Sequence, residues 1–485
     1  MGLSERTRRQ MPADTPSLIV VRDPFRGDEI ARLSQASASE LGRTIERATD
    51  YLRRSNRPPR GERADILLRA ARLVEERCEE IAVLITRDSG KVIRQARIEV
   101  RRAVAVLKLA AAGALELRGE EIPVDAFSPR SNFEGFYVRE PVGVVVGITP
   151  FNDPLNLVAH KVAPAIAAGA PIILKPSELA PLCAIRLHEL LLEAGMPDAA
   201  CQIVHGGPAV GRALTSAAPV RLVSFTGGEK TASNIMQTAG MKLFSFDLGG
   251  NAPVIVSASA DIDHAVQSCI SGAFWANGHN CVGVQRILVH QKCFDEFTHK
   301  FVSLVSGLVC GDPMSECSDI GPMISTEEAN RIEREIEITA RSLPTAQIFG
   351  GRRNGNLIEP AVILQPCKKS PMAEKELFGP GVVIFRYNDF TEAVNIANSV
   401  PMALNAGVFA RSLDEALALS DALDFSTVVI NESSDFRADN MPFGGFKRGG
   451  LGREGIPFAI REMTQTKARV FYRDRPDSFV GGLDC

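Results

Sequence analysis

The chain has 485 residues, of which 45% are hydrophobic and 23% are charged, and its formal net charge is −3. That length is enough for two or three domains with sizeable cores, and the composition is ordinary for a globular protein. The nearly balanced charge gives no electrostatic reason to expect nucleic acid binding. No run of about 18 apolar residues occurs, so we expect no membrane span.

The ten cysteines are irregularly spaced and include no CxxC pair, which argues against a metal cage and against a disulfide framework. Residues 1–16 lack the apolar core of a secretory signal. We therefore expect a cytoplasmic protein without a bound metal.

The first predicted elements are a hairpin and a helical region. Apolar runs at 18–21 and 29–33 flank a turn that contains Pro24 and Gly27, and this pattern is typical of a β-hairpin. Apolar residues then recur at spacings of three and four in one stripe along 67–85 and in another along 93–110. Each stripe predicts helix with one buried face.

From Pro141 onward, short apolar strands alternate with helices. We expect strands at 142–148, 171–174, 201–204, 222–225 and 243–246, with helices at 154–168, 179–194, 208–216 and 230–238 between them. This alternation predicts a parallel sheet with helices on both faces and ligands at the carboxyl ends of its strands. A second α/β section follows Gly249, with strands expected at 254–256, 286–289, 382–385, 406–409 and 427–430.

Residues 120–138 have a different character, because they are extended and lack helical periodicity. We expect them to pair with the extended stretch 467–472. Two isolated strands are marginally stable alone, so the pair is predicted to form an arm that adds to the sheet of another subunit.

Cys281 is the best candidate for a reactive residue. It follows Gly278 in the string NGHNC, where polar neighbours and a close backbone approach suit a thiolate nucleophile. The other nine cysteines are expected to be small core side chains. From this string alone an inert cysteine stays an alternative, because a nucleophile also needs a group that lowers its pKa.

Polar or glycine-rich strings follow several of the predicted strands. Asn152, in the string TPFN, is either a helix cap or a donor to a developing oxyanion. Asp247 is either a turn residue or a general base. The strings at 175–178 and 225–228 are either surface turns or contacts to the ribose and pyrophosphate of a dinucleotide.

In this order, the strings resemble those of the aldehyde dehydrogenase superfamily over nearly the whole chain. The matching strings are TPFN, LKPSE, FTGG, DLGGNAP, NGHNC, ELFGP, MPFGGFK and GLGREG. The resemblance implies an α/β fold with two Rossmann-type parallel-sheet domains and a small β oligomerisation arm. The implied cofactor-binding domain comprises 1–118 and 139–247 with 446–461 packing back, the catalytic domain 248–445, and the arm 119–138 and 462–485.

The resemblance also implies roles for the matching residues. The implied catalytic residues are Cys281 as nucleophile, Asn152 as oxyanion donor, Asp247 as base, and Lys161 and Glu454 in proton relay. The implied cofactor is NAD, with NADP as an alternative, because a carboxylate at Glu178 can accept both ribose hydroxyls and repels a 2′-phosphate. The implied cofactor contacts are Thr149, Pro150, Phe151, Lys175, Ser177, Glu178, Thr226, Gly227, Gly228, Leu248, Glu376 and Phe378.

Three positions depart from the family pattern. Asp247 stands where the family usually has Glu, His279 where it has Gln, and Gly228 where it has Ser. The shorter side chain of Asp247 retracts the carboxylate by about 1.5 Å, which bears on water activation. Gly228 lacks the hydroxyl but keeps the backbone donors.

The strings around Asn152 and before the PFGG turn look like those of one branch of the superfamily. That branch holds lactaldehyde, non-phosphorylating glyceraldehyde-3-phosphate and phosphonoaldehyde dehydrogenases. We therefore expect a small phosphonylated, phosphorylated or hydroxylated aldehyde. Arg102 and Arg437 are expected to bind its polar group, with surface arginines as the alternative. His279 and Asn280 are expected beside the substrate, and Asn280 stands where phosphate-type members often carry Arg.

Two other functions stay open. A coenzyme-A-acylating enzyme is an alternative, because such members often lack the Glu base that Asp247 replaces here. A non-catalytic member serving as a structural or binding protein is less well supported, because Asn152 and Cys281 are both intact. The resemblance implies a homodimer or a homotetramer.

Overall fold

The structure, a computed structural model, describes residues 17–53, 57–126 and 132–473. Residues 1–16, for which we predict no secretory signal, and two parts of the predicted arm, 127–131 and 474–485, lie outside these residues. Within the described ranges, none of the helices combines the length and the apolar character that a membrane crossing requires.

The first half of the chain contains nine strands and eight α-helices among the described residues. The strands are β1 (Leu18–Arg22), β2 (Glu29–Ser34), β3 (Glu120–Ile122), β4 (Phe133–Pro141), β5 (Val144–Ile148), β6 (Ile172–Lys175), β7 (Cys201–Ile203), β8 (Val220–Thr226) and β9 (Leu243–Asp247). The helices are Ala38–Arg53, Arg60–Glu76, Cys78–Ser89, Ile93–Glu116, Asn156–Ala168, Leu182–Glu193, Pro208–Ser216 and Glu229–Ala239.

The second half continues the alternation and ends in a long strand. The strands are β10 (Ala252–Val256), β11 (Val284–His290), β12 (Gln347–Gly350), β13 (Arg353–Asn354), β14 (Leu357–Ile358), β15 (Ala361–Leu364), β16 (Gly381–Tyr387), β17 (Met402–Ala403), β18 (Asn405–Phe409), β19 (Thr427–Ile430), β20 (Phe446–Lys447), β21 (Gly450–Leu451) and β22 (Thr464–Tyr472). The helices are Ile262–Phe274, Phe294–Val305, Thr326–Ala340, Pro371–Glu374, Phe390–Asn398, Leu413–Ala422 and Ile456–Glu462.

The N-terminal elements confirm the predicted hairpin and the second helical stripe. β1 and β2 pair antiparallel, and the helix Ile93–Glu116 buries the predicted stripe completely. The first stripe, along 67–85, is shared by two helices instead of one. Arg77, with φ −105° and ψ 25°, leaves the helical region and separates them, although the apolar side of both helices still faces the core.

Two parallel sheets form the body of the molecule, as the alternation of strands and helices predicts. The first sheet has the order β21-β9-β8-β5-β6-β7, and the second has the order β12-β15-β16-β11-β10-β18-β19. Only the end pairs β21–β9 and β12–β15 are antiparallel. The central strands are buried on both faces, which is why they appear in the sequence as continuous apolar runs.

The predicted pairing of the arm is confirmed for the described residues. β22 pairs antiparallel with β4 along their whole lengths, from Thr464 opposite Pro141 to Tyr472 opposite Phe133. β3 adds on the other side of β4. Every residue of β22 after Thr464 is exposed, so this small sheet has no core of its own.

Candidate active site

The first sheet delivers four of the predicted site segments to one edge. Because β5, β6, β8 and β9 are parallel, their carboxyl ends lie side by side. Lys175 ends β6 opposite Ile148, and Thr226 ends β8 opposite Asp247. Asn152 lies in the loop directly after β5.

Cys281 lies in a loop that follows the helix Ile262–Phe274. Asn277 has a φ of 61° and a buried side chain, and that side chain bonds with three backbone groups of neighbouring loops. Gly278, with a φ of 78°, lies so close to the backbone of Gly379 that a Cβ would overlap it. The asparagine and the glycine of the NGHNC string therefore fix the position of the cysteine.

The sulfur of Cys281 is close to the carboxylate of Asp247, with Sγ 3.7 Å from Oδ2. Burial, followed by the charge of Asp247, raises the pKa of Cys281 well above its ordinary value. Burial and then the charge of Glu454 raise the pKa of Asp247 to about 7. The resting thiol is therefore protonated, and a carboxylate that titrates near neutral pH lies beside it.

The side chain of Asn152 reaches the same loop. Its Nδ2 donates a hydrogen bond of 3.0 Å to the carbonyl of His279, and the side chain is buried. A carboxamide nitrogen carries two hydrogens, so one N–H remains for another acceptor. Asn152 and Cys281 line the same cavity.

The predicted relay residues form a buried ion pair. Lys161 Nζ donates to Glu454 Oε1 at 2.8 Å and to Ser224 Oγ at 3.1 Å. Burial alone would raise the pKa of Glu454, but Lys161 and then Arg437 lower it to about 2. Glu454 is therefore ionised at neutral pH.

His279 lies between two aromatic rings. The ring centroids of His279 and Phe151 are 5.2 Å apart, and those of His279 and Phe378 are 5.5 Å apart. Burial, followed by the charges of Arg331 and Lys91, lowers the pKa of His279 to about 3. His279 is therefore uncharged at neutral pH, and with the two phenylalanine rings it forms an aromatic wall beside Cys281.

The carboxyl edge of the first sheet has polar atoms that suit a dinucleotide. Thr149 Oγ1 and Glu376 Oε1 are buried, and the described part of the chain offers neither atom a hydrogen-bond partner. Burial and then the charge of Asp247 raise the pKa of Glu376 well above its ordinary value. Gly249 has a φ of +88°, and a Cβ there would lie 2.7 Å from Glu376 Oε2, so glycine is needed beside this carboxyl group.

The other predicted cofactor residues surround open space on the same edge. Nothing lies within 4 Å of a Cβ built on Gly228, which begins the helix Glu229–Ala239 without a side-chain cap. Lys175 is buried, and its Nζ donates to the carbonyl of Pro176 at 3.1 Å. The carboxylate of Glu178 faces Gly207 across a gap that a Cβ would fill.

The remaining three predicted cofactor residues either form local hydrogen bonds or are half-buried. The hydroxyl of Ser177 accepts from the N–H of Leu179 at 3.2 Å. Leu248 is buried, and its N–H donates to Gly449 at 3.0 Å. Pro150 is half-buried. The buried oxygens of Thr149 and Glu376, which have no hydrogen-bond partner in the described residues, could bind polar groups of a dinucleotide. The carboxyl edge of the first sheet therefore fits a bound NAD or NADP.

The cavity beside Cys281 has a volume of about 240 Å³. Arg102 and Arg437 both line it, as do His279 and Asn280. Asn280 Oδ1 accepts from the N–H of Val282 at 3.2 Å, so this side chain shapes the loop. All four predicted substrate residues therefore meet in one cavity.

The chain matches the model of the aldehyde dehydrogenase family over residues 11–469. It belongs to that family. Aspartate-semialdehyde dehydrogenase 1 of Pseudomonas canavaninivorans is 44% identical over 449 residues, which are 93% of this chain and 95% of the relative. Lactaldehyde dehydrogenase of Methanococcus aeolicus is 38% identical over 461 residues, which are 93% of this chain and 97% of the relative.

A solved structure supports both the fold and the cofactor. The glyceraldehyde-3-phosphate dehydrogenase of Methanocaldococcus jannaschii, complexed with NADP, is 36% identical and has a TM-score of 0.90. The match covers 95% of this chain and 100% of that chain. Similar solved structures contain NADP or NAD⁺. The predicted fold, the predicted branch and the prediction of an NAD(P)-dependent aldehyde dehydrogenase are confirmed.

Sequence analysis missed the charged residues that surround Arg102 in this aldehyde dehydrogenase. Arg102 Nη2 donates to Asp439 at 2.8 Å, and its Nη1 lies 3.6 Å from Asp153. Asp153 also pairs with the buried Lys91, which in turn pairs with Glu99. Glu99 lies on the buried side of the helix Ile93–Glu116, and that charged residue within an apolar stripe is the one signal the sequence offered.

Proposed function

We propose that this aldehyde dehydrogenase oxidises a small polar aldehyde to the carboxylic acid through a thioester on Cys281. The observation that carries the proposal is the 3.7 Å approach of Cys281 Sγ to Asp247 Oδ2, beside a cavity that Asn152 also lines. A thiol next to a carboxylate of pKa about 7 can release its proton as a substrate carbonyl arrives.

The first step is addition of the sulfur to the aldehyde carbon. The S–C bond forms while the thiol proton passes to Asp247, and the carbonyl electron pair moves to oxygen. That oxyanion accepts hydrogen bonds from the free N–H of Asn152 and from the backbone N–H of Cys281. Each such donor lowers the barrier by roughly 3 kcal/mol.

A bound NAD or NADP would supply the acceptor for the hydride of the substrate carbon. The residues that would hold the cofactor are Thr149, Lys175 and Glu376, together with the backbone of Gly228. The rings of Phe151 and Phe378 would form the apolar wall around its reactive end. This leaves a thioester between the substrate and Cys281.

Hydrolysis of the thioester completes the cycle. Asp247, having released its first proton to solvent, accepts a proton from water while the water oxygen bonds to the acyl carbon. The C–S bond then breaks, the acid leaves, and the sulfur of Cys281 is protonated again. The net reaction consumes one water and one oxidised cofactor and releases one proton.

We assign Lys161 and Glu454 an electrostatic role in this reaction. Because the pKa of Glu454 is about 2, this carboxylate holds a proton poorly at neutral pH. Its negative charge instead raises the pKa of Asp247 toward neutrality. Burial contributes most to this raised pKa, Glu454 adds to it and Lys161 opposes it, so the pair adjusts the pH at which Asp247 becomes a base.

The substrate end of the proposal is supported by Arg437 and by the size of the cavity. A volume of about 240 Å³ suits an aldehyde of a few carbon atoms, and Arg437 brings a positive charge to the lining of this cavity. Relatives named for aspartate semialdehyde and for lactaldehyde point to small polar aldehydes as well. The proposed cofactor is NAD, because a carboxylate at Glu178 can accept both ribose hydroxyls and would repel a 2′-phosphate.

We further propose that the enzyme acts in the cytoplasm as a homodimer or homotetramer. The support for the oligomer is β22, a nine-residue strand with an exposed surface and no core beneath it. A strand of that kind needs another sheet to cover it.

An aldehyde panel with NAD, followed by the absorbance of the reduced cofactor, tests the function. We expect Cys281→Ala to abolish turnover while cofactor binding persists, and Cys317→Ala, which removes an exposed cysteine, to behave like the native enzyme. Turnover in Cys281→Ala at the native rate contradicts the proposal. Product that appears only as acyl-CoA when coenzyme A is added assigns the acylating reaction instead.

A further inference from the structure

The loop before the PFGG turn places two opposite charges in the substrate cavity. Asp435 and Arg437 are two residues apart, and both side chains line the cavity that contains Cys281. The aldehyde carbon must lie at the sulfur, so the charged residues of the lining are left for the other end of a short substrate.

Arg437 is a buried cation with unused donors. Its side chain is only 9% exposed, and its guanidinium lies 3.6 Å above the ring of Phe443. Its Nε and Nη2 have no hydrogen-bond partner in the described ranges, and Nη2 is 3.6 Å from Glu454 Oε2. Arg437 also lines the cavity, so its buried positive charge would stabilise a carboxylate that enters there.

Arg102 is a weaker candidate for that ligand. It already binds Asp439 at 2.8 Å and lies 3.6 Å from Asp153. Two carboxylates compensate its charge before any substrate enters. Arg437 has one such carboxylate, Glu454 at 3.6 Å, so it is the better candidate.

Asp435 is a carboxylate that no cationic side chain of the described residues neutralises. The hydroxyl of Ser433 donates to its Oδ1, and no ion pair involves it. Burial raises the pKa of Asp435 above its ordinary value. An ammonium group would supply the missing counter-charge.

The charges of the cavity lining do not favour a strongly anionic ligand. The cavity lining contains two arginines and two aspartates, Arg102, Arg437, Asp153 and Asp435, and Asp439 adds one more negative charge next to Arg102. A phosphate or phosphonate dianion would meet Asp435 as well as Arg437. A headgroup with one negative and one positive charge matches both residues.

We propose that the substrate is an amino-acid semialdehyde, whose carboxylate is bound by Arg437 and whose ammonium group is bound by Asp435. This inference rests on the function proposed above, because it assigns the other end of the substrate that Cys281 attacks. Asp435 is then a specificity-determining residue that selects for the amino group.

Two substrates that differ only in that group test the inference. Aspartate 4-semialdehyde and succinate semialdehyde have the same four-carbon chain, and only the first carries an ammonium group. We expect kcat/KM to be roughly tenfold to a hundredfold higher for the first, the range of a charge-assisted hydrogen bond. Asp435→Asn should remove most of that preference, whereas Glu432→Gln, on the same loop and outside the cavity, should retain it.

Protection of Cys281 from alkylation gives a second measurement that needs neither cofactor nor turnover. L-Aspartate should slow the reaction with iodoacetamide more than succinate does, and Asp435→Asn should remove the difference. Equal kcat/KM values for the two semialdehydes would overturn the inference while the proposed function stands. Protection by L-aspartate without oxidation of any aldehyde would overturn the proposed function and support the binding of the headgroup.

Discussion

Replacing Asp247 by Asn should separate the two chemical steps at Cys281. Asn keeps the size of the side chain but cannot accept a proton. Steady-state turnover should fall roughly 10²- to 10⁴-fold, the range for loss of a positioned general base. Formation of the first S–C bond also loses its proton acceptor but should slow less, because removing the charge of Asp247 lowers the pKa of Cys281 and lets solvent take the thiol proton.

The size of the pH effect follows from the pKa of about 7 for Asp247. A carboxylate with that pKa is about one-tenth ionised at pH 6 and about nine-tenths ionised at pH 8. Thioester hydrolysis needs the ionised form, so its rate should rise about tenfold over this interval. An aspartate with an ordinary pKa would be ionised at both pH values and would show no rise.

Rapid mixing of enzyme, NAD and aldehyde measures both steps. Asp247→Asn should show a burst of about one reduced cofactor per active site, followed by slow turnover that no longer depends on pH in this range. Asp88→Asn is the matched control, because Asp88 is another buried carboxylate with a pKa of about 7, and it caps backbone N–H groups at Leu182 and Cys183. Undiminished turnover in Asp247→Asn, or a flat native profile from pH 6 to 8, would refute the reasoning.

The remaining predictions concern the oxyanion, the cofactor and the arm. Asn152→Ala should lower kcat roughly 10²- to 10³-fold with little change in cofactor affinity; a native burst rate would place the oxyanion elsewhere. Gly249→Ala should weaken NAD binding in calorimetry, because its Cβ would lie 2.7 Å from Glu376 Oε2 at a φ of +88°; an unchanged Kd would contradict this. Glu178→Gln should shift the ratio of kcat/KM for NAD and NADP toward NADP; an unchanged ratio would show that Glu178 does not contact the ribose. A chain that ends before β22 should sediment as a smaller species than the full chain, and an unchanged species would exclude the arm from assembly.

Much of the fold could be predicted because its central strands are buried on both faces. β5, β6, β10 and β18 are continuous apolar runs between turns, and the sequence indicates them directly. β12 was missed because all four of its residues are exposed, so it shows no pattern of burial. The break at Arg77 was missed because two successive helices can bury side chains on the same side of the molecule. Their apolar residues then form one continuous stripe in the sequence.

A residue of the candidate site could be predicted where the residues that position it belong to the same short sequence string. Cys281 is such a case, since Asn277 and Gly278 of the same string fix its loop. Charge pairs between distant segments give no local signal: Arg102 and Asp439 are 337 positions apart, and their partnership appears only in the folded chain.

Residues 446–451 connect the two halves of the enzyme through backbone hydrogen bonds. β20 pairs with β17, just before the central strands of the second sheet, and β21 pairs with β9 at Asp247 itself. A hinge motion that separated the two halves would break these strand pairs or move Asp247 away from the sulfur of Cys281. Aldehyde entry and acid exit are therefore expected to use the mouth of the cavity, and a covalent cross-link between the halves should leave turnover intact.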